Sequence, residues 1–261
     1  MIVVRPKYVN REGELAVVTI VLSLVAGYSL GATAAIPVWA LVVLMGATIV
    51  AVCVPHLQAH LPAAGACLGL VCGALFAAMV TPALHLSGPV QVGIFKLIWA
   101  LGLAFACLAT GADTGHLLPE LGTISPRGWL GALLTIGLFG AIYWLLFSSP
   151  PLVRSLRPAG WALVSTAAYR AVSGGIMDEY IFRALLLGRF LANNRATYAL
   201  LAQATVYAML HLGSGLQSSG PVGAMLAFVL ALITGYSVLQ TRGIGWAFLV
   251  HGVYSVIIYL A

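Results

Sequence analysis

Long apolar runs, separated by short polar or proline-bearing stretches, recur along this chain from residue 15 to its end. Their lengths, about 17–22 residues, suit α-helices that cross the hydrocarbon core of a bilayer. The pattern predicts spans at 15–31, 36–55, 63–81, 89–110, 128–147, a broken segment 161–192, then 196–212, 221–240 and 244–260. Strands do not compete, because an unclosed sheet leaves backbone groups unsatisfied in lipid. Pro37, Pro62, Pro89 and Pro221 stand near span starts, where a helix does not need the missing N–H. The expected fold is therefore all-α, a polytopic membrane helical bundle of about eight to nine transmembrane helices.

Composition narrows this further. Hydrophobic residues make up 62% of the chain and charged residues 7%, far from the balance of a soluble domain. At about 20 residues per span, 261 residues leave no room for a sizeable soluble domain. The net charge of +6 raises the question of nucleic acid, but the basic residues stand singly between apolar runs and read as topology determinants. No nucleic-acid partner is expected. With the N-terminus inside, the cytoplasmic connections hold Arg5, Lys7, Arg11, Arg127, Arg189, Arg195 and Arg242, and the opposite side holds Arg154 and Arg157. The run from Leu15 follows basic residues as a signal peptide would, but it is long enough to cross and reads as an uncleaved first span. The expected location is the bacterial inner (plasma) membrane.

The first 150 residues read as structure. Gly65, Gly69 and Gly73, like Gly27 and Gly31, recur every four residues, a spacing that lets helices approach closely. Lys96 is a lone charge inside a span and reads as a snorkelling side chain or, more sharply, as a contact into a functional site. His56 and His60 share a helix face beside Pro55 and Pro62 and read as an interfacial pair. Cys53, Cys67, Cys72 and Cys107 lie inside apolar runs as small hydrophobes, without the spacing of a disulfide framework or metal cluster. The stretch 111–127, with Asp113, His116 and Glu120, reads as a solvated connection, and Trp129, Trp144 and Trp161 suit membrane interfaces. Beyond residue 150, Arg170, Asp178, Glu179, Arg183, His211, His251 and Ser255 enter the spans. The expected organisation is an accessory set of helices over 1–150 and a functional core over 151–261.

The centre of that core is Met177-Asp178-Glu179-Tyr180-Ile181-Phe182-Arg183. A charge at the middle of a transmembrane helix costs about 2.5–3.5 kcal/mol on insertion scales, so such groups face a protein interior or a watery cavity. Asn193-Asn194, flanked by Arg189 and Arg195, reads as the turn of a helical hairpin. At ~1.5 Å per residue, Glu179 and His211 then lie at one depth, roughly 22–26 Å from that turn. Three polar pairs stand at the i, i+4 spacing of one helix face: Glu179 with Arg183, Tyr207 with His211, and His251 with Ser255.

These residues carry a family resemblance. Asp178-Glu179-x-x-x-Arg183 resembles the Glu-Glu-x-x-x-Arg motif of the CPBP family of intramembrane proteases, which includes the CAAX prenyl endopeptidases. Tyr207-x-x-x-His211 is similar to that family's Phe-x-x-x-His motif, and His251-x-x-x-Ser255 to its His-x-x-x-Asn or Asp motif. The resemblance spans about residues 161–261. It implies that Asp178 and His211 activate a water, that His251 and Ser255 stabilise the oxyanion, and that Glu179 pairs with Arg183 and holds the first carboxylate in place. Asp178 is one methylene shorter than the family's glutamate, and Ser255 offers a hydroxyl where the family has an amide.

The implied activity is endopeptidase cleavage of a membrane-tethered peptide or C-terminal tail, with the bilayer and a membrane-embedded or lipid-anchored substrate as partners. No cofactor is expected, since the carboxylate mechanism needs no ion; the alternative is zinc held by His211, His251 and a carboxylate. Two other classes remain open from the sequence. One is a non-catalytic peptide-binding or immunity factor on the same fold, which the Asp178 and Ser255 departures favour. The other is a small proton-coupled transporter using the same ionisable groups.

Overall fold

The computed structural model of the chain describes residues 62–85, 88–109, 111–112, 120–147, 160–191, 195–212 and 220–260. Among these residues all regular structure is helical, as a chain in lipid requires. The α-helices are α1 (Pro62–Ala83), α2 (Gly88–Ala109), α3 (Pro126–Phe147), α4 (Trp161–Arg170), α5 (Met177–Glu179), α6 (Gly188–Leu191), α7 (Ala196–Leu212), α8 (Gly220–Thr241) and α9 (Gly245–Leu260). The predicted spans in this region agree with them closely. The spans at 15–31 and 36–55, with His56 and His60, lie outside the described residues, as do Asp113, His116 and the Asn193-Asn194 turn.

Gly65–Ala83, Val90–Ala109 and Pro221–Thr241 are long and apolar enough to cross a membrane, and Pro126–Ile142 and Gly245–Ile257 are shorter apolar helices. The protein is an all-α integral membrane protein.

The segment from Trp161 is not broken, which corrects the expectation from its glycine pair. It runs helically to Leu191, passing through π-helical stretches at Ala171–Ile176 and Tyr180–Leu187 on either side of α5. Ile176 and Met177 keep right-handed helical angles (φ −67° and −68°). The irregularity is thus absorbed as wider turns, a form common at functional sites.

The described residues pack as two compact units. The first holds α1, α2, the second π stretch from Ile181, α6, α7 and α8 as far as Tyr236; the second holds α3, α4, the first π stretch, α5 and α9. Both units draw on residues from either side of position 150.

In the first unit the glycine row of α1 is a helix contact. A Cβ on Gly73 would sit 3.1 Å from the Trp99 carbonyl oxygen, and one on Gly102 would sit 2.9 Å from the Gly73 Cα. The Trp99 indole N–H donates to the Leu70 carbonyl at 2.7 Å, which locks the two helices in register. Helix α2 ends where Gly111 adopts φ 79°: its N–H donates to Leu108 O and that of Ala112 to Cys107 O, each at 2.9 Å, capping the last turn. Lys96 is buried on α2, so it does not extend along the surface as a snorkelling lysine would.

In the second unit Ser125 caps α3, its hydroxyl accepting from the Gly128 N–H at 3.1 Å, and Pro126 takes the first helical position. Helices α3 and α9 run parallel, with Trp246 donating to Gly128 O at 2.8 Å near one end and Phe139 packed edge-on against Tyr254 further along. The connection before α3 pairs with the turn before α9: Ile244 N–H donates to Glu120 O and Gly245 N–H to Leu121 O, each at 2.9 Å.

Candidate active site

The two glycines that interrupt the apolar pattern are what admit α9. A Cβ on Gly174 would lie 2.7 Å from the Ser255 hydroxyl oxygen, and one on Gly175 would collide with the backbone of Gly252. With no side chain at either position, α9 packs antiparallel to the helix that carries the carboxylates. One turn beyond Gly175, both Asp178 and Glu179 are buried, and Glu179 is fully enclosed.

That close approach brings His251 to Glu179. The His251 Nδ1 lies 2.7 Å from Glu179 Oε1, a buried contact between residues 72 positions apart. One proton lies between the carboxyl oxygen and Nδ1, and Nε2 is the ring nitrogen that this contact leaves for chemistry. Ser255 follows His251 by one turn and sits beside Gly174. Asp178, Glu179, His251 and Ser255 therefore belong to one unit, and His251 is a partner of Glu179 that helical spacing did not foresee.

Arg183 and His211 belong to the other unit. Arg183 is 1% exposed; its Nε and Nη2 donate to the Thr234 hydroxyl oxygen at 3.0 and 2.5 Å. Its guanidinium also stands 4.7 Å over the Tyr207 ring. Phe182 packs edge-on against the same ring with centroids 4.9 Å apart, and against Trp99 at 5.7 Å. Phe182 lies one residue before Arg183 and Tyr207 four before His211.

His211 has a fixed tautomer. Its Nδ1 lies 2.9 Å from the Tyr207 carbonyl, which can only accept, so the proton is on Nδ1 and Nε2 is again the available nitrogen. The ring also packs on Tyr207 with centroids 4.6 Å apart.

Sequence reading missed Thr234, on α8 and 51 residues from Arg183. A threonine in an apolar helix carries no signal of its own, because its hydroxyl can return to its own backbone. For zinc, the donor types are suitable, with Nε2 of each histidine oriented as the ligating atom by its Nδ1 bond. Among the described residues, no group of three or more His, Cys, Asp and Glu side chains is placed to hold a metal ion.

The chain combines apolar membrane-crossing helices with a buried carboxylate–imidazole pair. Residues 159–257 match the family model described as type II CAAX prenyl endopeptidase Rce1-like. That segment is similar to the CAAX-type intramembrane proteases, and the match covers it alone. No curated protein and no solved structure matches the chain.

Proposed function

We propose that the protein hydrolyses a peptide bond near the membrane-tethered end of a peptide or C-terminal tail, using a water activated by a carboxylate and a histidine. The observation that carries this reading is the buried bond between Glu179 and His251. A carboxylate against an imidazole, both out of water, is an arrangement suited to moving or holding a proton.

In this reading Asp178 takes one proton of the attacking water, while His211 accepts a hydrogen bond from the other at Nε2 and orients the nucleophile. The hydroxide adds to the scissile carbonyl, and the electron pair moves onto its oxygen. His251 and Ser255 donate to that oxyanion. With Nδ1–H held by Glu179, an Nε2–H on His251 makes the ring an imidazolium, and the Glu179 carboxylate supplies its counter-charge. A preorganised donor of this type is worth about 2.7–4 kcal/mol in the transition state. When the intermediate collapses, the C–N bond breaks and the proton taken from water passes to the leaving amine.

The test uses purified full-length protein in nanodiscs with membrane-tethered peptides, prenylated and unprenylated, read by mass spectrometry. Cleavage that disappears in Asp178→Ala and His211→Ala supports the water-activating pair. Loss in Glu179→Ala and His211→Ala with cleavage kept in Asp178→Ala moves the base by one residue. Retention of peptide without cleavage by the wild type sinks the enzymatic reading. Activity is expected to survive prolonged treatment with EDTA and 1,10-phenanthroline; loss that zinc restores would reassign the two histidines as ligands.

A further inference from the structure

We propose that Thr234 is a positioning residue of this protease, acting through Arg183; this rests on the reading of the first motif given above. The case begins with what a threonine hydroxyl can do. It has one proton to donate and two lone pairs to accept with. All three capacities are used here: the proton goes to the Leu230 carbonyl, one turn earlier on α8, at 2.9 Å, and the oxygen accepts from Arg183 Nε at 3.0 Å and Nη2 at 2.5 Å. The bond to Leu230 sets the direction of the lone pairs, and the two guanidinium N–H groups fill them.

Burial makes this arrangement consequential. Thr234 is 0% exposed and Arg183 1% exposed, so water does not compensate for a lost contact. The Tyr207 ring contacts the cation as well, 4.7 Å from the guanidinium carbon. Two groups on α7 and α8 therefore hold the guanidinium, the planar side chain best suited to such a fork. A motif arginine whose long side chain is held this way has one rotamer rather than several. Thr234 lies outside all three motif segments, and its role comes from the tertiary contact.

The substitutions that isolate the hydroxyl are Thr234→Val, which keeps the shape and removes the oxygen, and Thr234→Ser, which keeps the oxygen. In the nanodisc assay, Thr234→Val is expected to lower kcat by about ten- to a hundredfold, the range that a shift of order 1 Å in a site produces. KM should change little, and Thr234→Ser should keep activity within a few-fold of wild type. Equal activity in wild type and Thr234→Val overturns the proposal. So does equal loss in both variants, which would assign the effect to the methyl group.

A second readout does not depend on cleavage. In arginine-labelled protein the Arg183 Nε–H signal, assigned by its absence in Arg183→Lys, should move and exchange faster with solvent in Thr234→Val and stay in place in Thr234→Ser. An unmoved signal overturns the proposal. A moved signal in a protein that cleaves no peptide would keep the Thr234–Arg183 contact and sink the protease reading instead.

Discussion

Glu179 stands four residues from Arg183, and helical spacing alone predicts a charge pair; the structure adds His251 as a partner of Glu179 and Thr234 and Tyr207 as partners of Arg183. Neither addition has a local signal, because the residues involved are 72 and 51 positions apart. The consequence at the residue scale is specific. Glu179→Gln keeps the size of the side chain but removes the counter-charge of an imidazolium on His251, so kcat should fall about 10²-fold while the fold persists. If the two residues act as one group, Glu179→Gln combined with His251→Gln should cost hardly more than either substitution alone. Additive losses in kcat/KM would separate them.

At the scale of elements, the glycine pair shows how one signal supports two readings. Gly174-Gly175 in an apolar run reads as a helix break, because glycine weakens a helix. The helix continues instead, in π geometry, and the absent side chains serve the packing of α9. Gly175→Ala should therefore destabilise the protein by about 1–3 kcal/mol, as overpacking does, and should also reduce cleavage because it pushes His251 and Ser255 away. Gly188 provides the control, since no described atom lies within 4 Å of the place its Cβ would take. Gly188→Ala should match the wild type in detergent melting temperature and in activity. Equal effects from the two substitutions would show that helix propensity, rather than contact, is what matters. The row Gly69 and Gly73 was legible in advance as a helix contact because small residues at that spacing have few other uses in lipid.

At the scale of the whole molecule, the distribution of arginines predicts a topology that the chain directions in the second unit obey. The count places Arg127 and Arg242 on the same side of the membrane. In agreement, backbone bonds join Glu120 and Leu121 to Ile244 and Gly245, α3 runs parallel to α9, and the helix bearing Glu179 runs against both. In a background without native cysteines, Arg127→Cys and Arg242→Cys should both react with a membrane-impermeant thiol reagent from the cytoplasmic face. Labelling from opposite faces would mean that the segment 161–191 does not cross once.

Fold class and the span positions among the described residues were set by the sequence itself, because in lipid a backbone has few ways to satisfy its hydrogen bonds. Tertiary structure decided which partner each buried charge takes, that Gly174-Gly175 is a packing surface rather than a break, and that Thr234 holds the motif arginine. Those choices depend on which helix faces meet across long separations in the chain, and in a sequence so uniformly apolar the faces are told apart by volume and contact rather than by hydrophobic pattern.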